Sequence, residues 1–368
     1  MKIEKVDKNF DYNPIDGKVA VDVYDIPHPN FNLCGVFFDE KADGFIRLDR
    51  DVAESVNENI KYLNTNTAGG RICFSTDSDV VRIDVDVPGL SDMIHMPKTG
   101  ASAFSLLEIT ENGEKLVRIM CPSSENTKGF IAEAWPVHSL HPETAEQDIK
   151  NKVVRNYVLY FPLYNPVSRV KVMLRKGSIV KKYNYRDVKP ILYYGSSITQ
   201  GGCASRPDNC YQALIIKKNN IDFINLGFSG NCKAEPIMVD YLTTIDCSLF
   251  VCDYDHNANT VEYLKDTHFA LYERYRKAKP DTPILFVTRP DLKGTKDDYE
   301  RIKVVKSTYL KAKRMGDKNV YFLSGKRFFH GEEVGLYTVD GCHPTDHGFY
   351  YMAKEIYKKM VEIDPIFK

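Results

Sequence analysis

The chain has 368 residues, 50 of them basic and 50 acidic, with nine cysteines and a single tryptophan. This length exceeds one ordinary core and predicts two domains of roughly 150 to 200 residues. Balanced charge leaves no positive field to hold a phosphate backbone or an anionic surface, which argues against nucleic acid and membrane as partners. The start, Met1–Lys8, is charged, and no run reaches ~18 apolar residues, so a cytoplasmic location is expected. The cysteines are odd in number, lack a CxxC pair and mostly sit in apolar runs, as reduced thiols packed as small hydrophobes do.

Up to about Leu174 the pattern is that of strands. It is clearest in Val81–Val87, where aliphatic residues alternate with charged ones as in a half-buried antiparallel sheet. Further strands are predicted over Val19–Tyr24, Cys34–Phe38, Phe45–Leu48, Gly70–Phe74, Lys115–Met120, Tyr157–Leu163 and Arg169–Leu174. Many short strands without long helices predict a β-sandwich, jelly-roll-like in kind. The polar run Lys181–Asp187 reads as a linker, which divides the chain into a sandwich domain over 1–185 and a second domain over 186–368.

Beyond Pro190, short continuous apolar runs alternate with helical stretches, as buried parallel strands and their crossover helices require. Strands are predicted over Ile191–Tyr194, Phe223–Leu226, Leu249–Asp253, Ile284–Thr288 and Val320–Leu323. Helices are predicted over Tyr211–Lys218, Ala234–Leu242, Val261–Lys279, Asp297–Arg314 and Asp346–Met360. Five βα units make an α/β/α sandwich on a five-stranded parallel sheet, with ligands bound outside the carboxyl ends of the strands.

The candidate chemistry lies at those ends. Gly195-Ser196-Ser197-Ile198-Thr199 follows the first strand, and Asp340-Gly341-Cys342-His343 comes near the end of the chain. A serine hydroxyl becomes a nucleophile near neutral pH when an imidazole takes its proton, and a carboxylate fixes the imidazole's tautomer. Each segment alone reads first as a turn or a helix cap, and it is their order and shared sheet edge that point to chemistry. Between them lie two loops suited to an oxyanion: Asn225–Asn231, where Gly230 can offer an unobstructed N–H, and Asp253–Asn259, where the Asn257 amide can donate.

Taken together, Ser197, Gly230, Asn257 and His343 make the chain resemble the SGNH (GDSL-type) hydrolase superfamily, named for a Ser, a Gly, an Asn and a His in four ordered blocks. In that family the first block reads Gly-Asp-Ser, so Ser197 aligns with the nucleophile and Ser196 replaces the aspartate. The third block, usually Gly-x-Asn-Asp, is remodelled here to Asp-Tyr-Asp-His-Asn, with Asn257 or Asp255 at the key position. Asp340 and His343 match the last block. Pro190–Pro207, which includes Gln200–Pro207, and Phe161–Asn165 are similar to a subgroup carrying an N-terminal β-sandwich and including sugar deacetylases. Of that subgroup's Gly-x-Asp-Leu-Tyr signature, the segment Ala103–Leu107 keeps only the leucine.

The resemblance implies two-step acyl transfer. Ser197 attacks an ester carbonyl, His343 accepts its proton and Asp340 steadies the imidazolium. The Ser197 and Gly230 N–H groups and the Asn257 side chain hold the oxyanion, and no metal or organic cofactor is needed. Activity is expected to fall as pH drops through about 6.5, the ordinary histidine value. The expected substrate is a small acyl ester, acetyl above all, on an oligosaccharide, with Arg206 as a contact for the leaving sugar. A catalytically inactive glycan-binding protein and an acyltransferase using the same serine are the alternatives, and a homo-oligomer stays open.

Rival motifs fail on details. Asp253-x-Asp255-x-Asn257 imitates a calcium loop but has Ala258 and Leu264 where Gly and Glu belong. His343 and His347 have zinc-ligand spacing without an intervening Glu or a third ligand. Ser229 lacks the final glycine of a nucleophile elbow. Trp135 reads as core or interface before it reads as a sugar platform.

Overall fold

A computed structural model describes residues 6–7, 15, 17–123, 128–290, 294–330 and 334–368. The chain divides into two compact units. The first comprises Met1–Ile46, Thr65–Asn184 and Arg206–Asp208; the second comprises Arg47–Asn64, Tyr185–Ser205 and Asn209–Lys368. Among the described residues no helix is long and apolar enough to cross a membrane.

The first unit is built from antiparallel sheets. One runs in the order Val21–Ile26, Arg169–Arg175, Val81–Asp86, Gly129–Ala134. A second runs Val180–Lys182, Arg71–Thr76, Arg155–Tyr160, Phe104–Thr110, Gly113–Met120, with Asn32–Cys34 also paired to Arg71–Thr76, and a two-stranded sheet joins Phe37–Asp39 to Gly44–Ile46. Val81, Ile83 and Val85 turn one face inward and share an apolar cluster with Phe74, Phe104 and Leu106 of the second sheet. The charged residues between them are paired. Arg82 meets Glu133 at 2.6 Å, and Arg169 bridges Asp84 and Asp86. Trp135 is tied to the same Glu133, its Nε1–H donating at 3.0 Å.

Three strands of this unit lack the period that predicts one. Phe104–Thr110 places Leu106 and Leu107 side by side, Gly129–Ala134 has helix-like composition, and Val180–Lys182 runs into the segment read as a linker. The strand predicted over Phe45–Leu48 ends at Ile46. Beyond it, Asp49 caps the helix Arg50–Val56 by accepting from the Asp51 and Val52 N–H groups, and Glu58–Asn64 follows. No apolar period in the sequence marks these two short helices. They bury Ala53, Ile60 and Leu63 in the core of the second unit, so that unit draws on chain from within the predicted sandwich domain.

The second unit is a five-stranded parallel sheet in the order Phe223–Gly227, Ile191–Gly195, Leu249–Asp253, Ile284–Val287, Val320–Leu323. Leu192, Tyr194, Phe250, Cys252 and Phe286 face the helices Pro236–Thr244, Val261–Ala278 and Lys296–Arg314. Tyr193 on the opposite face meets Tyr211, which stacks on Phe349 of the last helix, Asp346–Ile363. The layers are therefore helix, sheet, helix. The first strand lies between the second and third, so the strand order reverses around it, which is where such sheets open a crevice.

His268, buried between two helices, accepts or donates at 2.9 Å to Thr308 Oγ1 and stacks on Tyr254 at 5.5 Å. Burial lowers its pKa from 6.5 to about 3. Between those pH values the unfolded chain takes up a proton that the folded chain refuses, so stability present above pH 6.5 is lost on acidification. Urea denaturation at pH 7 and pH 5 should show His268→Gln losing about 2 kcal/mol less than wild type over this interval. Equal losses would refute this assignment.

Candidate active site

The register of the sheet sets the site. Gly195 pairs with Gly227 on one side and with Asp253 on the other, so three strands end level. A Cβ on Gly195 would come closer than 3.0 Å to Thr199 Oγ1 and the Asp253 carbonyl oxygen. A Cβ on Gly227 would meet the backbone of Thr199 and Gln200 just as closely. Only glycine lets these chains approach.

Ser197 opens the short helix Ser197–Gln200. Ser196, where the family has aspartate, acts as its cap: its Oγ accepts from the Ile198 N–H at 3.2 Å, and its own N–H donates to the Asp253 carbonyl at 3.1 Å. The Gln200 side chain accepts from the Ser229 N–H at 2.9 Å, tying this turn to the next strand's loop.

The structure brings Ser197, His343 and Asp340 together. Ser197 Oγ lies 2.9 Å from His343 Nε2, and His343 Nδ1 lies 2.7 Å from Asp340 Oδ2. A carboxylate accepts only, so Nδ1 carries the proton and Nε2 presents its lone pair to the serine hydroxyl. Asp340 Oδ1 also accepts from the Cys342 and His343 N–H groups, at 3.0 and 2.8 Å. Partial burial opposes its charge, but the hydrogen bonds from His343 prevail and bring its pKa down to about 2. Asp340 is thus not a cap of the last helix; Thr345 is, accepting from the Gly348 N–H at 3.3 Å. His347 instead stacks on Tyr337 at 5.1 Å.

Gly230 and Asn257 occupy the loops after the second and third strands. Gly230 has φ +69° with open space where a Cβ would sit. Asn257 is held once through its backbone and once through its side chain: its N–H donates to the Tyr254 carbonyl at 2.9 Å, and its Oδ1 accepts from the Cys232 N–H at 3.2 Å. Its Nδ2 has no partner among the described residues. Asp255, the alternative, is buried, and its Oδ2 accepts from the Arg289 N–H at 3.4 Å. Burial raises its pKa to about 6, so above that it only accepts, whereas Asn257 is a permanent donor. Cys203 is no rival nucleophile, because burial, then Asp340 and Cys342, push its thiol up to about 12. Arg206 forks onto buried Asp208 at 3.1 and 3.0 Å, within the first unit.

Two buried arginines escape sequence reading. Arg47 donates to the carbonyls of Gly227 (2.6 Å), Asn225 (3.1 Å) and Leu63 (2.7 Å), and lies 4.4 Å from the centre of the Phe228 ring. Arg301 donates to the carbonyls of Asp255 and Ala258. Neither has a motif. Arg47 falls in a predicted strand of the other half, and Arg301, four residues from Asp297, reads as a surface ion pair.

A serine, an imidazole and a carboxylate aligned at one edge of a helix-sheet-helix unit can carry out acyl transfer. Residues 188–362 match the GDSL-like lipase/acylhydrolase family, and residues 21–180 match the N-terminus of SGNH-hydrolase-type esterases. The chain belongs to the SGNH (GDSL-type) hydrolase superfamily, in the subgroup with an N-terminal β-sandwich. Among solved structures, a GDSL-like lipase from Bacteroides ovatus is 23% identical, with 93% of this chain and 98% of that one covered and a TM-score of 0.80. A salicylyl-acyltransferase from a tetracycline biosynthetic pathway is 16% identical over 94% and 99%, with a TM-score of 0.76. An acetyl xylan esterase from the rumen bacterium Butyrivibrio proteoclasticus is 11% identical over 94% and 100%, with a TM-score of 0.56. At these identities the likeness is one of fold. No curated protein matches the chain in sequence.

Because the Gly227 clash is with backbone, Gly227→Ala should lower stability by about 3 kcal/mol and its melting temperature with it. An unchanged melting curve would mean that the two loops can separate freely.

Proposed function

We propose that this chain is a serine esterase that removes small acyl groups, acetyl in particular, from carbohydrate esters. The observation that carries the reading is the relay from Ser197 Oγ through the His343 ring to Asp340, at 2.9 and 2.7 Å. His343 Nε2 takes the hydroxyl proton as Ser197 Oγ attacks the ester carbonyl, and Asp340 stabilises the imidazolium that forms. The proton then passes to the departing alcohol, and water repeats the sequence on the acyl-enzyme. With its pKa near 2, Asp340 stays ionised throughout the working range.

The tetrahedral oxyanion is received by the N–H groups of Ser197 and Gly230 and by Asn257 Nδ2. Such donors matter because they are oriented before charge develops, each contributing on the order of 100- to 1000-fold. The carbohydrate part rests on the acetyl xylan esterase among the structural neighbours. An acyltransferase is the second reading, favoured by the salicylyl-acyltransferase neighbour. It uses the same serine and differs only in whether water or another alcohol accepts the acyl group.

With p-nitrophenyl acetate, Ser197→Ala and His343→Ala should each lower kcat by about 10,000-fold while leaving thermal melts nearly unchanged. Acetate released from acetylated xylan or mannan fragments should depend on the same two residues. Hydrolysis at the wild-type rate by either variant would reject the site, and acyl transfer to added alcohol in preference to water would favour the second reading.

A further inference from the structure

Asn257 lies in the turn after the strand Leu249–Asp253, and a helix side chain binds two carbonyls of that turn. Arg301, on the helix Lys296–Arg314, is buried, with 8% exposure. Its Nη1 donates to the Asp255 carbonyl at 2.7 Å and to the Ala258 carbonyl at 2.9 Å, the residues on either side of His256-Asn257. Its Nε donates to Asp297 Oδ2 at 2.6 Å, which fixes the guanidinium. One planar group thus spans the bend from behind.

The bend has other fixed points, among them the Ala258 N–H on the Tyr254 carbonyl and the Arg289 N–H on Asp255 Oδ2, both at 3.4 Å. The Asn257 N–H reaches the Tyr254 carbonyl, and its Oδ1 receives the Cys232 N–H. Arg289 donates to His256 Nδ1 and pairs with Asp298 at 3.2 Å. Without Arg301, two buried carbonyls lose their donor and the bend loses the brace across its ends. A buried cation is costly to desolvate, and placing one here is better explained by a need for geometry than by net stability.

We infer that Arg301 is a positioning residue for the oxyanion donor Asn257, acting through the Asp255 and Ala258 carbonyls without touching substrate. This rests on the proposed role of Ser197, His343 and Asn257. A preorganised donor contributes only while it is aimed at the oxygen that gains charge, so loosening the bend lowers kcat and leaves ground-state binding alone. A lysine keeps the charge but gathers its three donors on one atom at the end of a flexible stem, so it cannot hold the two carbonyls and Asp297 at once as the rigid guanidinium does.

The test is a double-mutant cycle on p-nitrophenyl acetate hydrolysis, with Arg301→Met, Arg301→Lys, Asn257→Ala and the two combinations, each checked by thermal melting. Arg301→Met should lower kcat about 10- to 100-fold with KM within about twofold, and Arg301→Lys should recover less than half of that loss on a logarithmic scale. In the Asn257→Ala background either Arg301 change should alter kcat less than about threefold, because the donor it aims is gone. Equal effects in both backgrounds, or an unchanged kcat in folded Arg301→Met, would overturn the assignment. Should Arg301→Met fail to fold, Arg301→Lys carries the same cycle. Undiminished hydrolysis by Ser197→Ala would instead bring down the site reading, and this assignment with it.

Discussion

Three neighbouring parallel strands end level at Gly195, Gly227 and Asp253, and everything the site does follows from that register. The strand order reverses around Ile191–Gly195, so the chain leaving it enters a crevice bounded by the loops of both neighbours. Two residues beyond Gly195 is Ser197, three beyond Gly227 is Gly230, and four beyond Asp253 is Asn257. A one-residue slip against Phe223–Gly227 would move the Gly230 loop away from the serine, and one against Leu249–Asp253 would move the Asn257 loop. The glycines make the register possible, since a side chain at Gly195 or Gly227 would hold the turns apart.

Around this edge, polar groups are arranged by two different physical solutions. The proposed base is oriented by an ionised partner: Asp340 receives one side-chain and two backbone hydrogen bonds from its own loop, which hold it ionised and hold the His343 ring in one tautomer. The proposed oxyanion loops are oriented by neutral backbone contacts to buried cations, Arg47 under Asn225–Gly227 and Arg301 across Asp255–Ala258. Guanidinium suits this use because its donors are planar and permanently charged, so several carbonyls are satisfied by one side chain.

The parallel-sheet half was largely legible in the sequence because its strands are continuous apolar runs bounded by turns. Leu249–Asp253 and Val320–Leu323 carry the predicted bounds, and Ile191–Gly195 and Phe223–Gly227 each extend one residue further. Ser197, His343 and Asp340 could be gathered from their order because each follows a strand or precedes a helix at the same edge. The sandwich was less legible. Phe104–Thr110 and Gly129–Ala134 are set by cross-strand partners such as Tyr157 and Val85, which no local period reveals. The helices Arg50–Val56 and Glu58–Asn64 are only seven residues each and are stabilised by a core that lies far away in sequence, though the cap at Asp49 was a local signal. Arg47 and Arg301 were invisible for the same reason: their partners are backbone carbonyls, which leave no mark on composition.

The central claim is that the Ser197 hydroxyl alone is activated, by His343, at the switch point of the sheet. Labelling the intact protein with a fluorophosphonate, followed by mass spectrometry and peptide mapping, addresses it directly. A single adduct on Ser197, formed far more slowly in His343→Ala, is the predicted result. An adduct on Ser229 or elsewhere, or no adduct on a protein that still hydrolyses esters, would contradict it.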